Sequence, residues 1–405
     1  MEKLIGFTTY PTRYPIHGGQ RRVRAFSEFY HEVGFNYESV CIYEKENYSA
    51  SQVGVYDLPL ERLAVEFSKV PFVSDLLSGR YAAENVGVVD HFSRLLFEKK
   101  PQAITLEQPF MWPLIKRLRE SPEISKIPIV YSSQNWESPL KIEMLIRSGV
   151  DRQIALKVGK EIEALERELA DASVAIFVVS EADANVYRSF APDKPVVVVR
   201  NGVNRPQSGA IIKNADLRGL QDQRYFFFVG SAYPPNVEGI CDLLLQGGLF
   251  FVPPEKSFAI CGGAAGGIFR HPTYQQFLAA NGERVDFFEN ILDDQLDALK
   301  RAAHAVILPI SFGGGSNLKT AEAMASGKWI IATPTALRGF EHLLGEPGII
   351  IADNHKTFRR AVMEIYRRPP LELSPEAVLR REVVYWDRSF DDLRQRNFRA
   401  LLKLQ

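Results

Sequence analysis

The chain has 405 residues, too long for one ordinary core and close to two domains of roughly 200 residues each. Its 49 basic and 49 acidic residues cancel, so the chain as a whole offers no basic footprint for nucleic acid, although a local basic patch facing a membrane stays open. Cys41, Cys241 and Cys261, odd in number and without a CxxC spacing, argue against a disulfide framework or structural zinc and suit a reducing cytoplasm; no apolar run reaches the ~20 residues that span a bilayer.

The opening "MEKLIGFTTYPTRYP" holds too short an apolar run for a signal peptide, and "KLIGFTTY" reads as a first strand. In "GQRRVRAFSEFYHEVG", Val23, Phe26, Phe29, Tyr30 and Val33 recur at helical spacing and Gly34 supplies a stop. "ESVCIYE", "QAITLE" and "PIVYSS" follow as strands with helix-like segments between them. A long helix over 151–173 carries Ile154, Val158, Ile162, Leu165 and Leu169 as one apolar stripe. The strand "VAIFVVS", the helix "EADANVYRSF" and the strand "PVVVVRN" complete a first series.

A polar, aperiodic stretch at 203–220 reads as a linker between domains at 1–202 and 221–385. The second series begins at "RYFFFVGS". It continues through the helix "NVEGICDLLLQG", the strand "SFAICGG", the helix "PTYQQFLAANG" and the strand "RVDFFE". The helix "LDDQLDALKRA", the strand "AVILPI", the helix "NLKTAEAMASG" and the strand "WIIATP" come next, then two closing helices, "TFRRAVMEIYRR" and "FDDLRQRNFRALLKL". Strands alternating with helices in both halves imply two doubly wound α/β domains with parallel sheets, which bind ligands at the carboxyl ends of their strands.

The most informative stretch follows "AVILPI". Gly313, Gly314 and Gly315 make a loop without side chains, Ser316 is positioned to cap a helix from about Asn317 to Ser326, and Gly327 suits its stop. A glycine loop entering a helix offers backbone N–H groups and the positive end of a dipole to an anion such as a diphosphate. Lys319 in the first turn adds a charge, and Glu322, one turn on, faces the same way and could accept hydrogen bonds from ribose hydroxyls. A tight turn beside a solvated Glu322 is the plainer reading of the same spacing. A P-loop fails because Leu318 stands where glycine is required.

On these residues the second half resembles the donor domain of retaining GT-B glycosyltransferases of family four, the group 1 glycosyltransferases. "EAMASGK" matches the family's second-Glu motif with Glu322 in place, while Gly314 stands where the first Glu is usual; "GGGSNLKTAEA" resembles a subset with GGG(S/T)..K..EA. "FFFVGSAYPPNVEGICDLL" resembles the opening donor-domain strand and helix, bringing Ser231 and Asn236 to the donor. No Arg or Lys lies between Val229 and Leu245, where many members hold the diphosphate, which leaves Lys319 as the leading cation. In the first half, "YPIHGGQRRV" matches the family's Gly-rich first turn with Gly18 and Gly19, and "YSSQNWES" resembles its HNxE segment with Asn135 and Glu137 matched and Gln134 replacing the histidine. Glu137 reads equally as an acceptor contact or a helix-capping carboxylate.

The resemblance implies a GT-B fold: two facing Rossmann-like domains with a central cleft, and a last helix at 386–405 returning to the first domain. It implies transfer of a sugar from a nucleotide-diphosphate sugar to an acceptor hydroxyl with retention, in bacterial polysaccharide, glycolipid or other glycan biosynthesis. Lys319 and Glu322 would be the catalytic pair. Gly313, Gly314, Gly315, Ser316, Asn317, Ser231 and Asn236 would hold the donor, and Gly18, Gly19, Asn135 and Glu137 the acceptor. The seven histidines show no HExxH or similar spacing, so no metal and no further cofactor are expected. The partners would be the nucleotide-sugar and a glycan, lipid-linked or protein acceptor, at a cytoplasmic location with room for peripheral membrane contact. Two rivals share the fold: a nucleotide-sugar epimerase or hydrolase, and a non-catalytic binding relative.

Overall fold

The computed structural model describes residues 2–61, 67–205, 220 and 224–403. Of the expected linker at 203–220, residues 206–219 lie outside the described residues. Contacts divide the chain into one unit of Met1–Arg200 with Phe390–Gln405 and a second of Asn201–Ser389.

In the first unit β1 (Glu2–Thr8), β2 (Phe35–Tyr43), β3 (Leu58–Pro59), β4 (Ala103–Leu106), β5 (Ile129–Ser132), β6 (Ala175–Val178) and β7 (Val196–Val198) form one sheet in the order β3-β2-β1-β4-β5-β6-β7. Every pair is parallel. Strands β4, β5 and β6 are buried on both faces, as parallel sheets covered by helices require. On one face Val40, Ile42, Phe92, Leu106, Ile129 and Ile176 share a core. On the other, Phe26 and Phe29 of the helix Gly18–Glu32 meet Phe390, whose ring stacks on Phe29 at 4.6 Å between centroids.

In the second unit β8 (Phe226–Val229), β9 (Phe258–Cys261), β10 (Val285–Phe288), β11 (Ala305–Leu308), β12 (Trp329–Ala332) and β13 (Ile349–Ile351) form an all-parallel sheet in the order β10-β9-β8-β11-β12-β13. The strand order reverses between β1 and β4 in one sheet and between β8 and β11 in the other. Those crevices are where a doubly wound sheet takes its ligand.

Several elements depart from expectation. The closing stretch is two short helices, Asp391–Gln395 and Phe398–Leu401, because Asn397 adopts a left-handed φ of 54° and its side chain accepts from Arg399 N–H. "NVEGICDLLLQG" begins its helix earlier, at Pro234, and widens into a π turn at Cys241–Leu245. "PTYQQFLAANG" is two helices, Pro272–Gln275 and Leu278–Arg284. In the long helix Arg152–Ala172, Ile154 is 40% exposed, whereas Glu166 takes a fully buried place on the packed face.

Candidate functional site

The switch point of the second sheet assembles the glycine loop from pinned parts. Beyond β11, Ile310 O accepts from the Thr333 hydroxyl at 2.5 Å. The Arg338 guanidinium donates to the carbonyls of Gly313, Gly314 and Gly315, at 3.1 Å and 3.4 Å for the last two. Gly313 and Gly315 have φ of 132° and 61°, a path that only glycine follows without strain. Asn201 holds the far end: its backbone N–H donates to Ser316 Oγ at 3.1 Å and its Nδ2 to Ser316 O at 2.9 Å.

The helix that follows runs Leu318–Ala325, and its cap is Asn317, whose side chain accepts from Lys319 N–H, rather than Ser316. The reason is that the Ser316 hydroxyl is already engaged with Asn201. Lys319 and Glu322 of this helix line one small pocket with Phe227, Val229, Val306 and Lys300. Glu322 lies 3.6 Å from the Lys300 ammonium, and the two side chains are 17% and 22% exposed. Lys300 belongs to the helix Asp293–Ala302 and escaped the sequence reading, as did Arg338.

The loop after β8 packs beside this one. Asn236 is buried, and its Nδ2 donates to Ser231 O at 3.0 Å and to Ser231 Oγ at 3.3 Å, so the two donor candidates that follow this strand are bonded to each other. A Cβ on Gly239, in the helix Pro234–Ile240, would stand 1.7 Å from Pro309 O. That close approach draws the helix after β8 onto the entry of the glycine loop.

In the first unit, Gly18 and Gly19 open the helix Gly18–Glu32, and His17 caps it in a reciprocal pair with Gln20. Burial, with Arg21 nearby, pushes the His17 imidazole down to about 4. A Cβ on Gly19 would meet the Tyr10 hydroxyl at 2.6 Å and Gln134 Oε1 at 2.7 Å. Gln134 Nε2 donates to that same hydroxyl at 2.6 Å, so Tyr10, Gly19 and Gln134 form one contact.

Asn135 Nδ2 donates to Glu137 Oε1 at 2.9 Å. Glu137 starts the helix Glu137–Arg147, yet the carboxylate that caps it is Glu166, which accepts from Glu137 N–H at 2.7 Å, Ser138 N–H at 3.3 Å and the Tyr187 hydroxyl at 3.0 Å. The capping alternative for Glu137 therefore belongs to Glu166. Burial pushes the Glu137 carboxyl up to about 7 against the opposing pull of Asn135 and Lys141; burial pushes Glu166 up to about 8 against its hydrogen bonds. Glu137 is only 4% exposed.

Among the described residues no three His, Cys, Asp or Glu side chains group as metal ligands, and no helix is long and apolar enough to cross a membrane. Residues 223–368, which contain the glycine loop, Lys319, Glu322 and Arg338, match the family model of glycosyl transferases group 1. No curated protein matches the chain in sequence. Sucrose-phosphate synthase from Thermosynechococcus elongatus superposes with a TM-score of 0.69 at 14% identity over 100% of both chains. The Anabaena protein HepE in complex with UDP gives 0.61 at 13% identity over 98% of this chain and 99% of that one. A UDP-forming α,α-trehalose-phosphate synthase from Burkholderia xenovorans gives 0.58 at 13% identity over 100% of this chain and 99% of that one. At these identities the likeness shows the fold: the two units have the GT-B fold.

Proposed function

We propose that the protein is a glycosyltransferase that moves a sugar from a nucleotide-diphosphate sugar to an acceptor hydroxyl with retention, as in family four. The observation that carries this reading is the group 1 domain match together with a pinned glycine loop, Lys319 and Glu322 at the switch point of its sheet. The departing diphosphate would be stabilised by loop N–H groups, the amino end of the helix Leu318–Ala325 and the Lys319 charge, all fixed before reaction. Glu322 would accept hydrogen bonds from the ribose, with the Lys300 ammonium 3.6 Å away orienting its carboxylate. Ser231 and Asn236 would line the donor side from the loop after β8. Gly18, Gly19, Asn135 and Glu137 would serve the acceptor. Because HepE matches in its UDP complex, UDP-sugars are the first donors to try.

Fixed charge rather than a divalent ion neutralises the leaving group in this account. The test is nucleoside-diphosphate release from UDP-, GDP- and ADP-sugars with hydroxyl acceptors, in excess EDTA. Release that depends on acceptor and survives EDTA supports the proposal. Release that needs magnesium or manganese would refute the fixed-charge mechanism, and sugar release or epimerisation without any acceptor would replace transfer with the rival chemistry.

A further inference from the structure

The glycine loop owes its path to a side chain that lies 23 residues beyond Gly315 and that no motif marks. Arg338 follows the 3-10 turn Pro334–Leu337, which is itself fixed: Ala336 N–H donates to Thr333 Oγ1 at 3.1 Å, and the Thr320 hydroxyl of the helix Leu318–Ala325 donates to Ala336 O. From that anchored turn one guanidinium holds three consecutive carbonyls, those of Gly313, Gly314 and Gly315. In a trans peptide the C=O and the following N–H point in opposite directions. Pinning those three oxygens to Arg338 therefore turns the N–H groups of Gly314, Gly315 and Ser316 to the other side of the loop. None of these three N–H groups donates a hydrogen bond to another described residue, although Gly315 and Ser316 are buried. Successive N–H groups presented together by a loop with φ of both signs make an anion-binding concavity. Only arginine has five donors in a rigid plane able to span three carbonyls; a lysine ammonium can hold one or two and leaves the peptide planes free to turn.

We propose that Arg338 is the positioning residue of the diphosphate site: it does not touch the ligand, but by gripping the carbonyl face of Gly313–Gly315 it aims the opposite N–H face at the phosphates. The proposal rests on the donor reading above and adds the residue that makes the loop competent before ligand arrives.

Isothermal titration separates the two claims, using UDP, GDP and ADP as probes with UMP, GMP and AMP as controls. For the diphosphate that binds wild type, Arg338→Met should raise Kd about tenfold or more, the size of a lost set of charge-assisted contacts, while the matching monophosphate changes less than twofold. Arg338→Lys should fall between. A purely structural role would weaken both nucleotides alike, and that outcome overturns the proposal, as does an Arg338→Met variant with wild-type diphosphate affinity. If Arg338→Met does not fold, Arg338→Lys is decisive: wild-type discrimination between diphosphate and monophosphate overturns the proposal, and reduced discrimination upholds it. Wild type binding none of the three diphosphates would remove the donor reading and this inference with it.

Discussion

Replacing Glu166 with glutamine should change how stability responds to pH, and the structure sets both sign and size. The carboxyl is fully buried and engaged by Glu137 N–H, Ser138 N–H and the Tyr187 hydroxyl, yet it sits at about 8, and its neighbour Glu137 at about 7, because burial outweighs those bonds. Both values lie above the 4.5 of an unperturbed glutamate. Between roughly pH 4.5 and 8 these two carboxyls therefore hold more protons in the folded chain than in the unfolded one, and their contribution to stability falls as pH rises through that window. At ~1.4 kcal/mol per pKa unit the larger shift, that of Glu166, sets a loss on the order of 5 kcal/mol, and because the two carboxyls oppose each other's ionisation the second shift does not add in full. Glutamine keeps an oxygen for the two backbone N–H groups but does not titrate. Glu166→Gln should melt close to wild type at pH 5 and roughly 5 °C or more above it at pH 8. Scanning calorimetry of both proteins at pH 5.0, 6.5 and 8.0 makes the comparison. The difference between them cancels His17, which acts in the opposite sense: held down at about 4, it adds stability as pH rises toward 6.5. A melting difference that stays constant across the three pH values would refute the assignment of a raised, titrating Glu166.

Three further substitutions probe the two switch points. Gly239→Ala puts a Cβ 1.7 Å from Pro309 O and should destabilise by about 1–3 kcal/mol, read as a lowered Tm. Gly19→Val should part Tyr10 from Gln134 and lower kcat/KM while the circular dichroism spectrum is unchanged; full activity would make that turn a mere turn. Lys319→Ala should lower kcat far more than it raises acceptor KM if, as proposed, its charge acts while the glycosidic bond breaks. Wild-type turnover in that variant would assign the charge elsewhere, with Lys300 next in line.

What could be read in advance was what local pattern encodes. Val23, Phe26, Phe29 and Tyr30 announced the first helix and are its buried face, and Gly34, at a φ of 95°, closes it. The runs "AITL", "AIFV" and "AVIL" are buried strands in the structure. What escaped depends on contacts between distant residues. Ser316 and Asn317 are both competent caps; only the bond from Asn201 to Ser316 decides between them. Lys300 sits in the last turn of an amphipathic helix, where lysine suits the helix dipole, so its meeting with Glu322 leaves no trace in the spacing. Glu166, within "EIEALERE", looks like one more solvated charge until Glu137 and Ser138 are brought over it. Glu137, matched by motif, lies buried on Asn135, a placement no motif specifies.

The donor assignment is tested most directly by titrating UDP-, GDP- and ADP-sugars into wild type and Glu322→Ala by calorimetry. The account predicts that one class binds wild type at a single site and that Glu322→Ala loses about 10- to 150-fold of that affinity, the worth of a charged hydrogen bond to ribose, while keeping its fold. Absence of binding by every class, or equal affinity in a folded Glu322→Ala protein, would contradict it.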